Sequence, residues 1–275
     1  MTLRPTISLT TDFGIQDPFV GTMKGVIASI CPDANVVDIT HAIPAFDLLE
    51  GALALWQAWR YFPAGAVHVA VVDPGVGSAR QPILSRMADH WFIAPDNGLL
   101  TLVERDIERD GGAAQHRILQ NPRYMLPAQS HTFHGRDIFA PAAAHLAAQI
   151  ASGAAAPESF GPALANPIRL TVPEPVHHPD GSLEGIILKN DRFGNLLTNV
   201  PARDLPTDWT GCTLEVGNLR ISRFCRFYAE GELDELFAIV GSSGLLEIAM
   251  NRGSAKAKAG LSLGEKIRIA QRREL

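Results

Sequence analysis

The stretch AVHVAVVDPGVGSAR, residues 66–80, decides how the chain is read. Its first eight residues are apolar apart from His68 and Asp73, and four of them are valines. A short, nearly continuous apolar run rich in β-branched residues reads as a strand buried on both faces, central in a parallel sheet. A Pro-Gly-x-Gly turn follows, and Arg80 closes it. Ligands of open parallel sheets bind beyond the carboxyl ends of the strands. A carboxylate at this tip and a guanidinium seven residues later are therefore either a turn aspartate with a surface arginine, or a charged pair that holds a reacting group.

The flanking sequence supports the sheet. TISLTTDF (6–13) reads as a strand ending in a polar tip, and NVVDIT (35–40) and WFIAPDNG (91–98) as two more. Between the first two, Phe19, Val20, Met23, Val26, Ile27 and Ile30 fall at helical spacing behind Pro18, which suits a first turn. Leu49, Leu53, Trp56 and Trp59 repeat that spacing in 46–60, and residues 137–153 form an alanine-rich helix with Pro141 in its first turn. Strands alternating with helices predict an α/β domain with a mainly parallel sheet and helices on both faces.

Beyond residue 153 the texture changes. Residues 154–180 are rich in Pro and Ala, and later runs are short and β-like: EGIILKN, TLEVGNLRIS, ELFAIVG, LLEIAMN and EKIRIA. VGNL reads as a hairpin turn. The reading is an N-terminal α/β domain over 1–165, a linker over 166–181 and a smaller all-β barrel over 182–275.

Bulk properties bound the function. The 275 residues carry a net charge of -5, which argues against a nucleic-acid partner. They are 46% hydrophobic and 19% charged, the composition of a globular chain. No apolar run reaches the ~18 residues that span a bilayer, so no membrane partner is expected. The start, MTLRP, runs into a strand-like segment rather than a signal peptide. Cys31, Cys212 and Cys225 are odd in number and widely spaced, which argues against a disulfide framework and for a cytoplasmic location.

Three strand tips carry acids beside Gly or Pro: Asp12, Asp73 and Asp96. HTFHGRD (131–137) adds His131, His134, Arg136 and Asp137, the last reading as a helix N-cap. NDRFGNLLTN (190–199) and GSSGLLE (241–247) add polar turns in the second half. No HxH, HxxxH or HExxH spacing appears, so no metal cofactor is expected.

TDFGIQDPFVGTMKG, VVDPGVGSAR, APDNGLL, HTFHGRD, DRFGN and GSSGLLEIAMNRG, in this order, resemble the S-adenosylmethionine hydroxide adenosyltransferase family. These are adenosine-forming S-adenosylmethionine hydrolases, related to enzymes that make halogenated deoxyadenosine. The resemblance runs from about residue 6 to about residue 270. It implies a small-molecule substrate, no separate cofactor, and a homotrimer with sites at subunit interfaces. It also implies that Asp73, Arg80 and His134 handle the attacking water. By the same matching Asp12 meets the ribose hydroxyls, Phe46 lies near the ribose and Phe133 in the pocket wall. Phe227 would stack on adenine and Asn195 meet its edge. Asp17 and Asp191 would face the methionine ammonium and Ser242 and Ser243 its carboxylate, with Glu247 and the backbone around Met250 close by.

Three alternatives stand beside the hydrolase: a halide-using transferase on the same scaffold, a non-catalytic nucleoside-binding protein, and a metal hydrolase. Asp73 opposes the first. A carboxylate about 4 Å from a bound halide costs about 4 kcal/mol at an effective dielectric of about 20, or about three decades in affinity.

Overall fold

The computed structural model describes residues 4–209 and 211–271. The chain forms two compact units, Met1–Thr171 and Val172–Leu275.

The first unit contains, in chain order, β1 (Thr6–Thr11), α1 (Phe19–Ile30), β2 (Asn35–Thr40), α2 (Leu48–Ala58), β3 (Val67–Val71), β4 (Pro82–Met87), β5 (His90–Pro95), α3 (Thr101–Arg109), β6 (Ala114–Ile118), α4 (Ala140–Ala151) and β7 (Ala163–Leu164). One seven-stranded sheet runs β2-β1-β3-β5-β4-β6-β7. The valine-rich stretch is β3, between β1 and β5 and buried at every position, as its composition requires. Helices cover both faces. Met23 and Ile27 of α1 join Ala142 to Ala147 of α4 in one core, while Leu55 of α2 joins Val103 and Ile107 of α3 in the other.

The expectation of a mainly parallel sheet is corrected. β2, β1, β3 and β5 pair in parallel, but β5-β4, β4-β6 and β6-β7 are antiparallel, so the sheet is mixed. The reason is the tight turn at Ala88–Asp89, with Ala88 at φ 50. It joins β4 to β5, and so short a connection permits only antiparallel pairing.

The reading of residues 137–153 as one helix that Asp137 caps also changes. α4 begins at Ala140, after a π-helical turn over Gly135–Phe139. Asp137 lies inside that turn, fully buried. Its carboxylate accepts from Ser130 N at 2.7 Å and Arg136 Nε at 2.6 Å.

The second unit holds β8 (Val176–His177), β9 (Leu183–Asn190), β10 (Leu196–Pro201), β11 (Cys212–Val216), β12 (Leu219–Ile221), β13 (Phe224–Cys225), β14 (Leu236–Val240), β15 (Leu245–Met250), α5 (Ala255–Ala259) and β16 (Lys266–Gln271). Its sheet runs β12-β11-β16-β9-β10-β15-β14-β13, with β8 on β9, and curls until β12 lies beside β14. The VGNL hairpin joins β11 to β12. The segment read as a linker is tied down at several points. Ile168 N donates to Asp96 Oδ1 at 2.8 Å, and Leu170 N to Thr101 Oγ1 at 2.8 Å. In the second unit Pro173 O accepts from Asn199 Nδ2 at 3.0 Å. Asp96 thus has a structural partner. Among the described residues no helix is long and apolar enough to cross a membrane, and Cys31, Cys212 and Cys225 are buried free thiols.

A polar chain crosses the first core. Ser8 Oγ lies 2.7 Å from His68 Nδ1, and His68 Nε2 lies 3.2 Å from His90 Nδ1. Burial first, then the neighbouring His90, pushes His68 down to about 3. The unfolded chain therefore binds a proton below about 6.5 that the native chain refuses. Stability present above that pH is lost as pH falls toward about 3, by up to about 5 kcal/mol from this residue. Urea unfolding of wild type and His68→Gln should show a shallower pH slope for the variant; equal slopes would contradict this account.

Candidate active site

Asp73 stands two residues past the end of β3, after Val72, where the sheet's backbone pairing is spent and the chain must turn. Asn97 Nδ2 donates to Val72 O at 2.9 Å and fixes the strand end. Val76 N then donates to Asp73 O at 3.2 Å and Ser78 N to Gly75 O at 3.0 Å, curling the chain back. Gly77 sits at φ +77, and a β carbon there would lie 2.2 Å from His131 O. Glycine is what lets this turn press against the segment that carries His134.

The turn returns Arg80 onto Asp73. Arg80 Nε lies 3.1 Å from Asp73 Oδ1 and 2.9 Å from Oδ2, and Nη2 makes a further short contact to Oδ2. Nη2 also donates to His134 Nδ1 at 2.6 Å. Both charged side chains are buried, 8% and 5% exposed. The pair is therefore no surface arginine beside a turn aspartate. Because guanidinium only donates, Nδ1 of His134 is the acceptor, and the proton of its neutral ring is on Nε2. Burial first, then the Arg80 charge, holds His134 below its ordinary value, against the pull of Asp73 and Asp137. Arg80 Nη1 is buried without a protein partner.

A cavity of about 280 Å³ opens beside this chain. Asp12, Phe46, Asp73, Phe133 and His134 line it, with Phe13, Phe19, Val76 and Thr132. Phe13, Phe19 and Phe133 meet edge to face at centroid distances of 5.1 to 5.9 Å. Gly135 allows this packing, since a β carbon would crowd Phe13, Phe133 and Met23 at 3.1 Å. Asp12 Oδ2 accepts from Phe46 N at 2.9 Å. Phe46 is 67% exposed at φ 69, a conformation that costs an aromatic residue of order 1–3 kcal/mol. Asp17 is exposed ahead of α1 and does not line the cavity.

The remaining candidates lie in the second unit. The Asp191 carboxylate accepts from Phe193 N at 2.9 Å, Asn195 N at 2.8 Å and Asn195 Nδ2 at 2.9 Å. Glu247 Oε2 accepts from Tyr228 Oη at 3.0 Å. Burial first, then Asp191, pushes Glu247 up, and burial with the Glu247 charge takes Tyr228 to about 12. The structure thus groups Asp191, Asn195 and Glu247, with Tyr228 as a member that no sequence motif marked. Phe227 is 54% exposed, Ser242 is exposed, and Ser243 Oγ is buried without a partner. The Met250 side chain packs against the core of its unit. Among the described residues no three His, Cys, Asp or Glu side chains are grouped to hold a metal.

The depressed His134 is open to measurement. Its imidazole should titrate below 6.5 by nitrogen-detected NMR and carry its neutral-form proton on Nε2. Replacing Arg80 with Met should move the midpoint upward. A wild-type midpoint above 6.5, or a proton on Nδ1, would overturn the assignment.

Two family models match the chain: SAM hydroxide adenosyltransferase N-terminal domain over residues 7–155 and the C-terminal domain of the same name over 185–268. An (R)-S-adenosyl-L-methionine hydrolase of Thermus thermophilus is 39% identical over 271 residues, covering 97% of this chain and 100% of the relative. A fluorinase of Nocardia brasiliensis is 30% identical, covering 96% and 97%. A crystal structure of a conserved protein from Thermotoga maritima superposes with a TM-score of 0.87 at 33% identity, covering 96% and 100%. With both halves matched and full-length relatives well above 30% identity, the chain belongs to the SAM hydroxide adenosyltransferase family.

Proposed function

We propose that this protein hydrolyses S-adenosyl-L-methionine to adenosine and L-methionine, by attack of a water on the ribose 5′ carbon. The observation that carries the reading is the Asp73–Arg80–His134 chain, whose two ends line an aromatic-walled cavity. The name of the Thermus relative specifies the (R) form of the substrate, and the proposal takes that form for this chain.

The leaving group departs as a neutral thioether, so no general acid is needed. Water is the weak partner, and it must be aligned and relieved of a proton. His134 cannot take that proton, since its Nδ1 lone pair is engaged by Arg80 and its Nε2 is protonated. Asp73 retains acceptor capacity on Oδ1 and is the general base of the proposal. Arg80 holds the Asp73 carboxylate in one orientation. Asp12, with only Oδ2 engaged by protein, leaves Oδ1 to accept from ribose hydroxyls. Asp191, Asn195, Phe227, Ser242, Ser243 and Glu247 are the proposed contacts to adenine and methionine. No metal takes part.

The halide reading fits less well. Asp73 presents a carboxylate to the cavity, which opposes a bound anion, and the fluorinase relative is more distant than the hydrolase.

Incubation with S-adenosylmethionine should give adenosine and methionine in equal amounts, unchanged by a chelator. Saturating chloride or fluoride should give no halogenated deoxyadenosine by mass spectrometry. Methylthioadenosine as product, chelator sensitivity or a halogenated product would each refute the scheme.

The roles separate kinetically. Asp73→Asn should lower kcat by about 100-fold or more, the scale of general-base loss, with adenosine affinity little changed. Asp12→Ala should raise KM by about tenfold or more, with kcat less affected, because ribose bonds exist in ground and transition states alike. Near-full turnover by Asp73→Asn would remove it as the base.

A further inference from the structure

His41 is used by none of these steps, yet it is 6% exposed at the edge of the site. Its Nδ1 lies 2.8 Å from Thr11 Oγ1. Its Nε2 lies 3.1 Å from Asp38 Oδ1, a close electrostatic contact without the geometry of a hydrogen bond. Asp38 Oδ2 in turn accepts from Lys24 Nζ at 2.6 Å. Although burial works against it, Lys24 and His41 hold Asp38 below its ordinary value. A carboxylate facing Nε2 favours the ring proton there, so Nδ1 is free to accept from the Thr11 hydroxyl. Thr11 Oγ1 keeps a lone pair, which accepts from Phe13 N at 3.2 Å. The hydrogen bonds run from Phe13 N to Thr11 and from Thr11 to His41, and the Asp38 carboxylate faces the far side of the ring.

A threonine, a histidine and an aspartate in line could be taken for a nucleophile relay. Thr11 is fully buried, so no substrate reaches its oxygen. What the chain does hold is the loop beyond β1. Phe13 N is tied by Thr11, and Gly14 N donates to His41 O at 2.8 Å. Asp12 lies just ahead of these two anchors, between Thr11 and Phe13, and its Oδ2 accepts from Phe46 N on the loop that follows His41. The loop after β1 and the loop after β2 are thereby laced together. They supply Asp12, Phe13, Ala45 and Phe46 to the cavity.

We propose that His41, held between Thr11 and Asp38, is a positioning residue that aims Asp12 into the cavity and so sets affinity for the nucleoside part of the substrate. The proposal rests on the reading of Asp12 as the ribose carboxylate. It assigns His41 no contact with substrate and no proton transfer.

The test uses adenosine binding by calorimetry beside steady-state kinetics, so that binding is read without turnover. Thr11→Val keeps the shape of the side chain and removes the hydroxyl. It should weaken adenosine binding and raise KM by about tenfold each, the scale of one well-placed hydrogen bond, with kcat within about twofold. Thr11→Ser should restore both. Asp38→Asn, at the partly exposed end of the chain, should shift both in the same direction and covers the case in which Thr11→Val does not fold. In an Asp12→Ala background Thr11→Val should cost nothing further, because the residue being aimed is gone. Wild-type affinity in Thr11→Val and Asp38→Asn, or losses that add fully to Asp12→Ala, would overturn the inference while leaving the hydrolase reading intact. If wild-type protein neither binds adenosine nor consumes S-adenosylmethionine, the functional reading falls and takes this inference with it.

Discussion

The site depends on one buried cation. A guanidinium that is 8% exposed loses several kcal/mol of hydration, and only close anionic and hydrogen-bonding partners offset that loss. Arg80 finds Asp73 on one side and His134 Nδ1 on the other. The same requirement shapes the backbone. The turn over 74–79 must reverse within a few residues to bring Arg80 back, and Gly77 must lie close enough to His131 to exclude a β carbon. The end of β3, the turn that follows it and the approach to the π-helical turn, distant in sequence from both, are thereby held in one register. Removing either partner would strand a charge in the interior, which is costlier than never having buried the pair.

Much of the first unit is legible in the sequence because its signals are local. A valine-rich run makes a buried strand wherever it falls, and β1, β2, β3, α1 and α2 stand where periodicity places them. β4 is not legible in that way. PILSRM has no clean alternation, and its direction is set by the two-residue turn at Ala88–Asp89 rather than by composition. The π-helical turn is equally hidden. Asp137 has the right residue type for a helix cap, but its carboxylate is drawn inward by Ser130 N and Arg136, and the helix starts later.

The site divides the same way. Asp73 and Arg80 are near neighbours in sequence, so their pairing can be posed as a question from spacing alone. That His134 completes the chain came only from the ordered motifs, since nothing local relates residue 134 to residue 80. Tyr228 and His41 carry no motif signal of their own. Each is defined by a partner far along the chain, Glu247 for one and Thr11 for the other, and such pairings exist only after folding.

The charges around the cavity suit the proposed reaction better than they would suit an anion. Asp12 and Asp73 face it, His134 is neutral, and Arg80 is already paired. A sulfonium substrate brings one positive charge to walls made of Phe13, Phe19 and Phe133, where field lines are weakly screened. As the carbon–sulfur bond breaks, that charge leaves the sulfur and appears on the attacking water, which then sheds a proton. A carboxylate at the water end is favourable throughout this transfer, and more so as it proceeds. Interactions that grow toward the transition state are the ones that raise kcat. Arg80 fixes the orientation of Asp73 while its Nη2 also meets His134, so one guanidinium ties both side chains together. A halide would meet the opposite gradient, repelled by Asp73 at the point where it must wait. In the proposed reaction the carboxylate that activates water is thus the one that makes the site a poor one for anions.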